Sequence, residues 1–350
     1  MFRFIVVTAL LTLGSIVNAQ LTDVITGVNE PVGLILNGND LFIAESRGNK
    51  ISKIDIAEPS PTVIDIATGF LRPYSHMVLT GNVLYVAEYE GNKVSKIDIT
   101  EPNQFPSDVV TGLNGPVGLL LNGNDLYITE YLGNKVSKID ITESNPTTTD
   151  VVTGLNSPIA LVLNDDDLYI AEYDGNKISK IDITATNPTP TDVVTGLITP
   201  EGLLLNGNDL YISEYEGNRI SKIDLTELNP TPSVVVTGLN NPSGLVLNGN
   251  DLYIAEKSGN RISKYTDFIT SATDEFPEAH PITIYPNPAS SFISLSGLKK
   301  SESYILYNML GTEVDSGEIL ENQKIVIEGL TNGVYFLKLN DGNTMKFIKG

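Results

Sequence analysis

The chain contains no cysteine and only two histidines among its 350 residues. Without cysteine there are no disulfides, thiolate nucleophiles or zinc–thiolate sites. The sequence also has no Gly-x-Ser-x-Gly nucleophile elbow, no Gly-rich phosphate loop and no His-x-x-x-His pattern, which argues against a serine hydrolase or a catalytic zinc site. His280 stands in a Thr-, Ser-, Asp- and Glu-rich segment, so only His76 falls in the repeated part of the chain described below.

Basic residues are also scarce, with 22 against 43 acidic residues, which gives a formal net charge of −21. A strongly negative protein repels phosphate backbones and anionic lipid heads, so nucleic acid and membrane surfaces are poor partners. Cations and hydroxyl-rich ligands are better suited to such a surface.

Only one long apolar run is present, and it lies at the N-terminus. Arg3 precedes the run from Phe4 to Leu13, and Val17-Asn18-Ala19 has the small-x-small pattern of a cleavage site. The run is shorter than the roughly 20 apolar residues that a membrane-spanning helix needs. We therefore expect residues 1–19 to be a signal peptide and the mature protein, from Gln20 onward, to have no membrane span.

The rest of the chain is dominated by an internal repeat. The dipeptide Gly-Asn followed by Lys or Arg recurs six times, at steps of 43, 42, 42, 42 and 42 residues. Its glycines are Gly48, Gly91, Gly133, Gly175, Gly217 and Gly259. A period of about 40–45 residues is typical of four-stranded β-propeller blades.

One unit, taken from Pro116, predicts four strands. These are Val117–Leu121, Asp125–Glu130, Lys135–Ile141 and Asp150–Gly154, each separated by turn residues. Strands of the first, second and third kind occur together six times. Strands of the fourth kind also occur six times, but the first of them, at 23–27, comes before every blade, and no such strand follows 261–265. The sequence therefore predicts an all-β, six-bladed propeller over residues 20–266, in which the N-terminal strand closes the last blade and leaves no free edge. A linker follows over residues 267–282.

The units resemble the NHL repeat, a family of propeller blades. The resemblance is carried by Pro31-Val32-Gly33-Leu34, Leu41-Phe42-Ile43-Ala44-Glu45 and Gly48-Asn49-Lys50-Ile51 and covers residues 21 to about 266. The family usually has Asp where this chain has Glu. The resemblance implies the propeller architecture but not a function, because the family and its relatives include binding modules, hydrolases and lyases.

Residues 283–350 form a second module of short alternating strands, which predicts a small immunoglobulin-like β-sandwich. We expect strands at 292–295, 304–307, 324–327, 334–339 and 346–349. The module resembles the type A C-terminal sorting domain of type IX secretion substrates. The resemblance is carried by the sorting motif Tyr285, Pro286, Asn287 and Pro288, by Tyr307–Gly311, by Leu330–Tyr335 and by Lys346–Lys349. It implies a Gram-negative bacterial protein that contacts the type IX machinery through residues 283–350 and is secreted or held at the outer-membrane surface.

One face of the propeller carries a repeated acidic ring beside aromatic residues. Because strands alternate in direction, the connector into each blade and the turn between its second and third strands share this face. The acidic ring consists of Glu45, Glu88, Glu130, Glu172, Glu214 and Glu256, and four of these are followed by Tyr89, Tyr131, Tyr173 and Tyr215. Aromatic rings and carboxylates suit sugars or cationic peptides. Alternatively, residues repeated in every blade fix turns, and we expect the glutamates to accept hydrogen bonds from the Gly-Asn turns and to be structural.

A second candidate patch lies where the repeat step is 43 instead of 42 residues. The extra residue falls within Tyr74-Ser75-His76. The residues that follow the Pro of each Pro-x-Gly motif include a single acid, Glu201. We expect Tyr74, His76 and Glu201 to line an asymmetric patch at the channel mouth. The alternative is a tolerated loop insertion beside a solvated glutamate.

Together these observations predict an extracellular binding or adhesion propeller, monomeric and without a cofactor, whose ligand is a carbohydrate, peptide or protein. Near-identical units favour multivalent binding, whereas catalysis needs different residues from different blades. The alternative is a calcium-dependent lactonase or esterase, or a lyase, on the same fold. A Ca²⁺ site wants six or more oxygen ligands, and the six equivalent positions supply one glutamate and one or two hydroxyls. A third interpretation is a structural surface-layer protein without a specific ligand.

Overall fold

The computed structural model describes residues 21–74, 76–101, 104–269, 283–296, 302–309, 311–320, 323–339 and 344–350. The expected signal peptide, Ser75, His280 and residues 270–282 of the expected linker lie outside the described residues. The chain divides into two compact units, Met1–Ala272 and Thr273–Gly350.

Unit one contains six four-stranded antiparallel sheets, and in five of them the strands follow each other in sequence order. The first sheet has β2 (Pro31–Asn37), β3 (Asp40–Glu45), β4 (Lys50–Asp55) and β5 (Ile64–Thr68); the second has β6 (Val78–Thr80), β7 (Val83–Glu88), β8 (Lys93–Asp98) and β9 (Ser107–Thr111); the third has β10 (Pro116–Asn122), β11 (Asp125–Glu130), β12 (Lys135–Asp140) and β13 (Thr149–Thr153). The fourth has β14 (Pro158–Asn164), β15 (Asp167–Glu172), β16 (Lys177–Asp182) and β17 (Thr191–Thr195); the fifth has β18 (Pro200–Asn206), β19 (Asp209–Glu214), β20 (Arg219–Asp224) and β21 (Ser233–Thr237).

The sixth sheet joins the two ends of the unit. It consists of β22 (Pro242–Asn248), β23 (Asp251–Glu256) and β24 (Arg261–Tyr265), with β1 (Leu21–Thr26) as its outer strand. Leu21 lies opposite Tyr265 and Thr26 opposite Arg261 in this antiparallel pair. On the inner side, β22 packs against β2 of the first sheet. The N-terminal strand therefore completes the sheet whose other three strands come last.

The second strand of each sheet is buried on both sides, because each sheet is packed between two neighbours. In β11 the side chains of Leu126 and Ile128 are fully buried. The turn into this strand puts Gly123 at a φ of +60°, a conformation that glycine adopts without strain and that a type II′ hairpin requires at its first central residue. Burial of each such Leu or Ile stabilises the fold by about 1.5–3 kcal/mol.

Apolar cores fill the spaces between neighbouring sheets. At the join between the sixth and first sheets, Tyr253 and Ile262 pack with Leu41 and Ile43. At the other end of the unit, Phe268 is buried against the sixth sheet, with its ring 4.9 Å from that of Tyr211 and 5.8 Å from that of Tyr265. The packed part of the unit thus extends to Phe268, beyond residue 266 where the linker was expected to begin.

An asparagine links each sheet to the next through a hydrogen bond of the same kind. The Asn of each Gly-Asn turn accepts, through Oδ1, the backbone N–H of the residue that precedes the Pro of the following sheet, at 2.8–3.0 Å. The asparagines are Asn49, Asn92, Asn134, Asn176, Asn218 and Asn260. In the last case, Asn260 accepts from Glu30, so the join between the sixth and first sheets has the same link as the other five.

Unit two contains two sheets that share one core. One sheet has β25 (Thr283–Tyr285), β26 (Phe292–Ser296) and β29 (Lys324–Val326); the other has β27 (Glu302–Asn308), β28 (Glu313–Ile319), β30 (Gly333–Leu339) and β31 (Thr344–Lys349). Ile293 and Ile325 of the first sheet pack with Leu306, Leu337 and Phe347 of the second. The sequence did not predict β25 and β28. In β28 the side chains are mostly exposed at the edge of the sheet, so the strand has no apolar alternation.

Candidate functional site

The acidic ring is buried and takes part in internal contacts. The second strand of every sheet in unit one ends at one of the six glutamates, which are 0–2% exposed. Each carboxylate accepts a hydrogen bond through Oε2 from a backbone N–H in the connector that leads into its own sheet, at 2.7–2.8 Å. The donor stands two positions before the proline that begins or precedes the first strand of that sheet. The expected hydrogen bonds from the Gly-Asn turns are therefore wrong, since the donors lie in the connector instead.

In five of the six sheets the other oxygen of the carboxylate accepts a hydrogen bond from a serine of the third strand, and a cation of the same strand lies nearby. In the fourth sheet Glu172 Oε1 lies 3.4 Å from Lys177 Nζ but has no hydrogen-bond partner among the described residues. In the third sheet, Glu130 Oε1 accepts from Ser137 Oγ at 2.7 Å and lies 3.4 Å from Lys135 Nζ. In the fifth and sixth sheets an arginine replaces the lysine, and Arg219 and Arg261 each form a two-point pair with Glu214 and Glu256. Buried carboxylates engaged in this way are not free to accept from a ligand.

Five tyrosines form an unbroken series of ring contacts on the same face. Ring centroids are 5.9 Å apart for Tyr74 and Tyr89, 6.1 Å for Tyr89 and Tyr131, 6.2 Å for Tyr131 and Tyr173, and 6.1 Å for Tyr173 and Tyr215. Tilted and edge-on pairs at these distances are favourable for aromatic rings. The rings are half-buried, so part of each remains open to solvent. We call Tyr74, Tyr89, Tyr131, Tyr173, Tyr215 and Lys257 the tyrosine circle.

Lys257 completes the circle. It stands directly after Glu256, where the second to fifth sheets have tyrosine, and its ammonium lies 4.7 Å from the Tyr74 ring centroid and 5.2 Å from that of Tyr215. It also donates a hydrogen bond to the Tyr74 hydroxyl at 2.8 Å. In the first sheet the corresponding residue is the small, buried Ser46, and the ring of Tyr74 takes the place in the circle that a tyrosine there would fill.

Glu201 is fully buried near Lys257 and Tyr74, so the interpretation of a solvated glutamate is wrong. Its Oε1 accepts a hydrogen bond of 2.7 Å from Ser243 Oγ, while Oε2 has no hydrogen-bond partner in the described part of the chain. Burial raises the pKa of Glu201, and the Lys257 ammonium and the Ser243 hydroxyl offset part of that increase. The negative charge of Glu201 in turn adds to the effect of burial in raising the pKa of Tyr74 well above its ordinary value.

His76 reaches from the second sheet to the fifth. Its Nε2 lies 3.4 Å from the carbonyl oxygen of Leu203, and its own carbonyl accepts from the N–H of Leu119. The residue has a φ of +53°, in the left-handed region, and this accommodates the extra residue of the second sheet. Burial lowers the pKa of His76 from 6.5 to about 4, so the imidazole is neutral at pH 7.

The inner strands approach one another too closely for side chains at their glycines. A Cβ on Gly202 would lie 2.1 Å from the carbonyl oxygen of Ser243, and one on Gly118 would lie 2.2 Å from that of Ile159. The residues that follow the Pro in the inner strands include Val32, Val117 and Ile159, all buried. The inner strands are therefore closely packed side by side with their first residues buried, whereas the rings of the circle are partly accessible.

The structure thus brings Tyr74 and Glu201 together with Lys257, which the sequence analysis missed. The sequence contains a signal for Lys257, because lysine stands there at the repeat position that holds tyrosine in the second to fifth sheets. His76 contacts the strand of Glu201 at Leu203. In the described part of the chain, no three His, Asp or Glu side chains are grouped so that they could hold a metal ion. No helix found among these residues is long and apolar enough to cross a membrane.

In unit two the sorting motif is fastened to the last strand. Asn287 accepts the N–H of Ile348 at 3.0 Å and its side-chain amide donates to the carbonyl of Lys346 at 3.3 Å. The peptide bonds before Pro286 and Pro288 are cis. Tyr335 donates to the carbonyl of Thr331 at 2.7 Å, which ties the start of β30 to the preceding turn.

Comparison with protein families identifies this second unit. Residues 283–349 match the family model of the secretion system C-terminal sorting domain. Over 69 residues the chain is 36% identical to beta-agarase A of Zobellia galactanivorans, a match that covers 19% of this chain and 13% of the agarase. A C-terminal sorting domain of this family directs a protein through type IX secretion, and the chain is exported to the cell surface or the extracellular space.

Comparison with solved structures concerns the first unit. Virginiamycin B lyase from Staphylococcus aureus is 18% identical, with a TM-score of 0.52 over 71% of this chain and 98% of the lyase. A putative gluconolactonase is 12% identical, with a TM-score of 0.60 over 71% and 92%. An auxiliary nutrient binding protein from Bacteroides thetaiotaomicron is 15% identical, with a TM-score of 0.57 over 68% and 69%. At these identities the likeness shows the fold alone, that of a β-propeller.

Proposed function

We propose that the protein is a binding or adhesion propeller that works outside the cell, with its ligand on the tyrosine circle. In this proposal the six sheets close into one ring through β1, as in NHL-type propellers, and the sorting domain serves export rather than ligand binding. The observation that carries the proposal is the series of five partly open tyrosine rings in contact with one another. Grouped aromatic side chains of this kind supply large, rigid contact areas for a ligand.

The arrangement favours binding over a lactonase, esterase or lyase. Acid–base catalysis needs groups within hydrogen-bond reach of a substrate. Here Glu201 and Ser243 are fully buried, and Tyr74 and Lys257 in the circle near them are joined by a hydrogen bond. The equivalent inner positions in three other sheets hold Val32, Val117 and Ile159, which cannot ligate calcium.

The proposal is tested by applying the mature full-length protein to arrays of defined oligosaccharides and defined peptides. We compare Tyr173→Leu with Leu228→Ala, which changes a residue that is 94% exposed in the connector after the third strand of the fifth sheet, at the opposite end of that sheet. Binding of any array ligand should fall at least tenfold in Tyr173→Leu and stay within twofold in Leu228→Ala. Equal binding by both variants, or silence of the wild type on both arrays, would overturn the proposal. A rise of several degrees in Tm on addition of Ca²⁺ would favour the enzyme alternative instead.

A further inference from the structure

We propose that the tyrosine circle binds cationic ligands, namely peptide segments carrying lysine or arginine side chains, at the part formed by Tyr131, Tyr173 and Tyr215 with Asp174 and Glu216. This inference rests on the proposed function and names the chemistry of its ligand. It separates two ligand classes that the sequence alone left open, sugars and cationic peptides.

The protein's own cations already contact the rest of the circle and also the ring of Tyr215, at the border of the proposed site. The Lys257 ammonium lies against the rings of Tyr74 and Tyr215, and the Arg72 guanidinium is 5.5 Å from the Tyr89 ring centroid. All three contacts are in the range where the negative face of an aromatic ring attracts a cation. The rings of Tyr74, Tyr89 and Tyr215 thus already accept ammonium and guanidinium groups, and Tyr131 and Tyr173 continue the same series of rings.

Charges around the circle are balanced on one side and unbalanced on the other. Near the first and second sheets, Arg47 pairs with Glu30 at 2.9 Å and Arg72 with Glu90 at 3.2 Å. Near the fourth and fifth sheets stand the exposed Asp174 and Glu216, each directly after a tyrosine of the circle. Neither forms an ion pair with another side chain in the described ranges, whereas the charges of Lys257 and Glu201 offset each other beneath the rings.

The local hydrogen bonds hold Asp174 in place beside the rings. Its Oδ2 accepts from the Tyr131 hydroxyl at 3.4 Å and from Ser157 Oγ. Burial raises the pKa of Tyr215, and nearby negative charges, including that of the exposed Glu216, add to the increase. The same negative potential that disfavours a tyrosinate favours an incoming cation. A neutral sugar would gain nothing from this potential.

The experiment uses the mature full-length protein and a pentalysine peptide, with pentaglutamate and an uncharged oligosaccharide as comparison ligands. Binding is measured by isothermal titration calorimetry, because only five of the chain's 15 tyrosines belong to the circle and tyrosine fluorescence would not single it out. The test variant is Asp174→Asn with Glu216→Gln. The control variant is Glu143→Gln with Glu227→Gln, two exposed acids in the connectors after the third strands of the third and fifth sheets, which changes the net charge by the same amount.

Pentalysine should bind the wild type, and its Kd should rise at least tenfold in the test variant and less than twofold in the control. Tyr173→Leu should weaken pentalysine binding by a similar factor while Asp174 and Glu216 remain. Equal weakening in the test and control variants would mean diffuse charge attraction and would overturn the inference. If the circle binds the uncharged oligosaccharide but not pentalysine, the inference fails while the proposed function stands. If Tyr173→Leu affects no ligand, both fail.

Discussion

The Lys257 ammonium donates a hydrogen bond of 2.8 Å to the Tyr74 hydroxyl and lies 4.7 Å from the centre of the same ring. The two residues come from the sixth and second sheets and are 183 positions apart in the chain. Together they replace the tyrosines that the first and sixth sheets lack. Beneath them, the buried Glu201 supplies the opposite charge, so this part of the circle depends on a pairing that the repeat does not contain elsewhere.

Removing the cation from this pairing should destabilise the fold. We expect Lys257→Met to lower the free energy of unfolding by about 1–3 kcal/mol, because it removes both the hydrogen bond to Tyr74 and the positive charge that favours the buried Glu201 carboxylate. Glu201→Val with Lys257→Met should recover most of that loss, since valine is the residue found at the equivalent positions 32 and 117. Urea unfolding of the single and double variants measures this coupling. Additive losses would contradict the pairing.

The acidic ring should matter for stability and not for ligand contact. Glu130→Gln loses the charge that Lys135 pairs with and weakens the bonds from Ser137 and the connector, which should cost about 2–3 kcal/mol of unfolding free energy. Glu143→Gln, in an exposed connector of the same sheet, should change the unfolding free energy by less than about 0.5 kcal/mol. Loss of ligand binding in a Glu130→Gln protein of unchanged stability would assign the ring to the ligand instead.

The pairing of β1 with β24 can be tested by a disulfide, because the chain has no cysteine of its own. Thr22 lies opposite Lys264 in the antiparallel register. The variant Thr22→Cys with Lys264→Cys should form a cross-link on oxidation and gain up to about 5 kcal/mol, as the closed loop spans most of the first unit. Thr22→Cys alone is the control. Failure of the pair to cross-link in the folded protein would show that β1 lies elsewhere.

His76 should make stability fall in weakly acidic solution. Its folded-state pKa is lowered from 6.5 to about 4. The unfolded chain therefore takes up a proton between these pH values and the folded protein does not, so stability present above pH 6.5 is lost as the pH falls toward 4. The loss is on the order of 3 kcal/mol.

The variant His76→Gln, which cannot be protonated in this range, should show a flatter dependence of unfolding free energy on pH than the wild type. His280→Gln is the matched control. Glu201 acts in the opposite sense, because its raised pKa favours the folded state as the pH falls. A wild type and a His76→Gln protein with the same slope between pH 6.5 and 4 would contradict the buried position of the ring.

The repeat period predicted the number of sheets, the strand order and the face that carries the tyrosines, because each unit has its own turns and alternating apolar residues. The partners of the glutamates could not be predicted in this way. A carboxylate next to a Gly-Asn turn can reach backbone N–H groups of that turn and also those of the connector into the sheet. Only the fold shows that the connector donates the hydrogen bonds. The role of Tyr74 was also hidden, since its ring fills a place that belongs to Ser46 in the sequence repeat. The role of Lys257 could not be predicted either, because the repeat has tyrosine at this position and does not show that a lysine here contacts two rings.

The meeting of Leu21 with Tyr265 in one strand pair places the first and last strands described in the first unit side by side. A short peptide could join these two points, and new termini could then be cut into one of the exposed hairpins, such as that at Gly123, as circular permutation requires. Such a rearranged chain would keep every strand partner, including those beneath the tyrosines. The order in which the blades are synthesised is therefore separable from the surface they build.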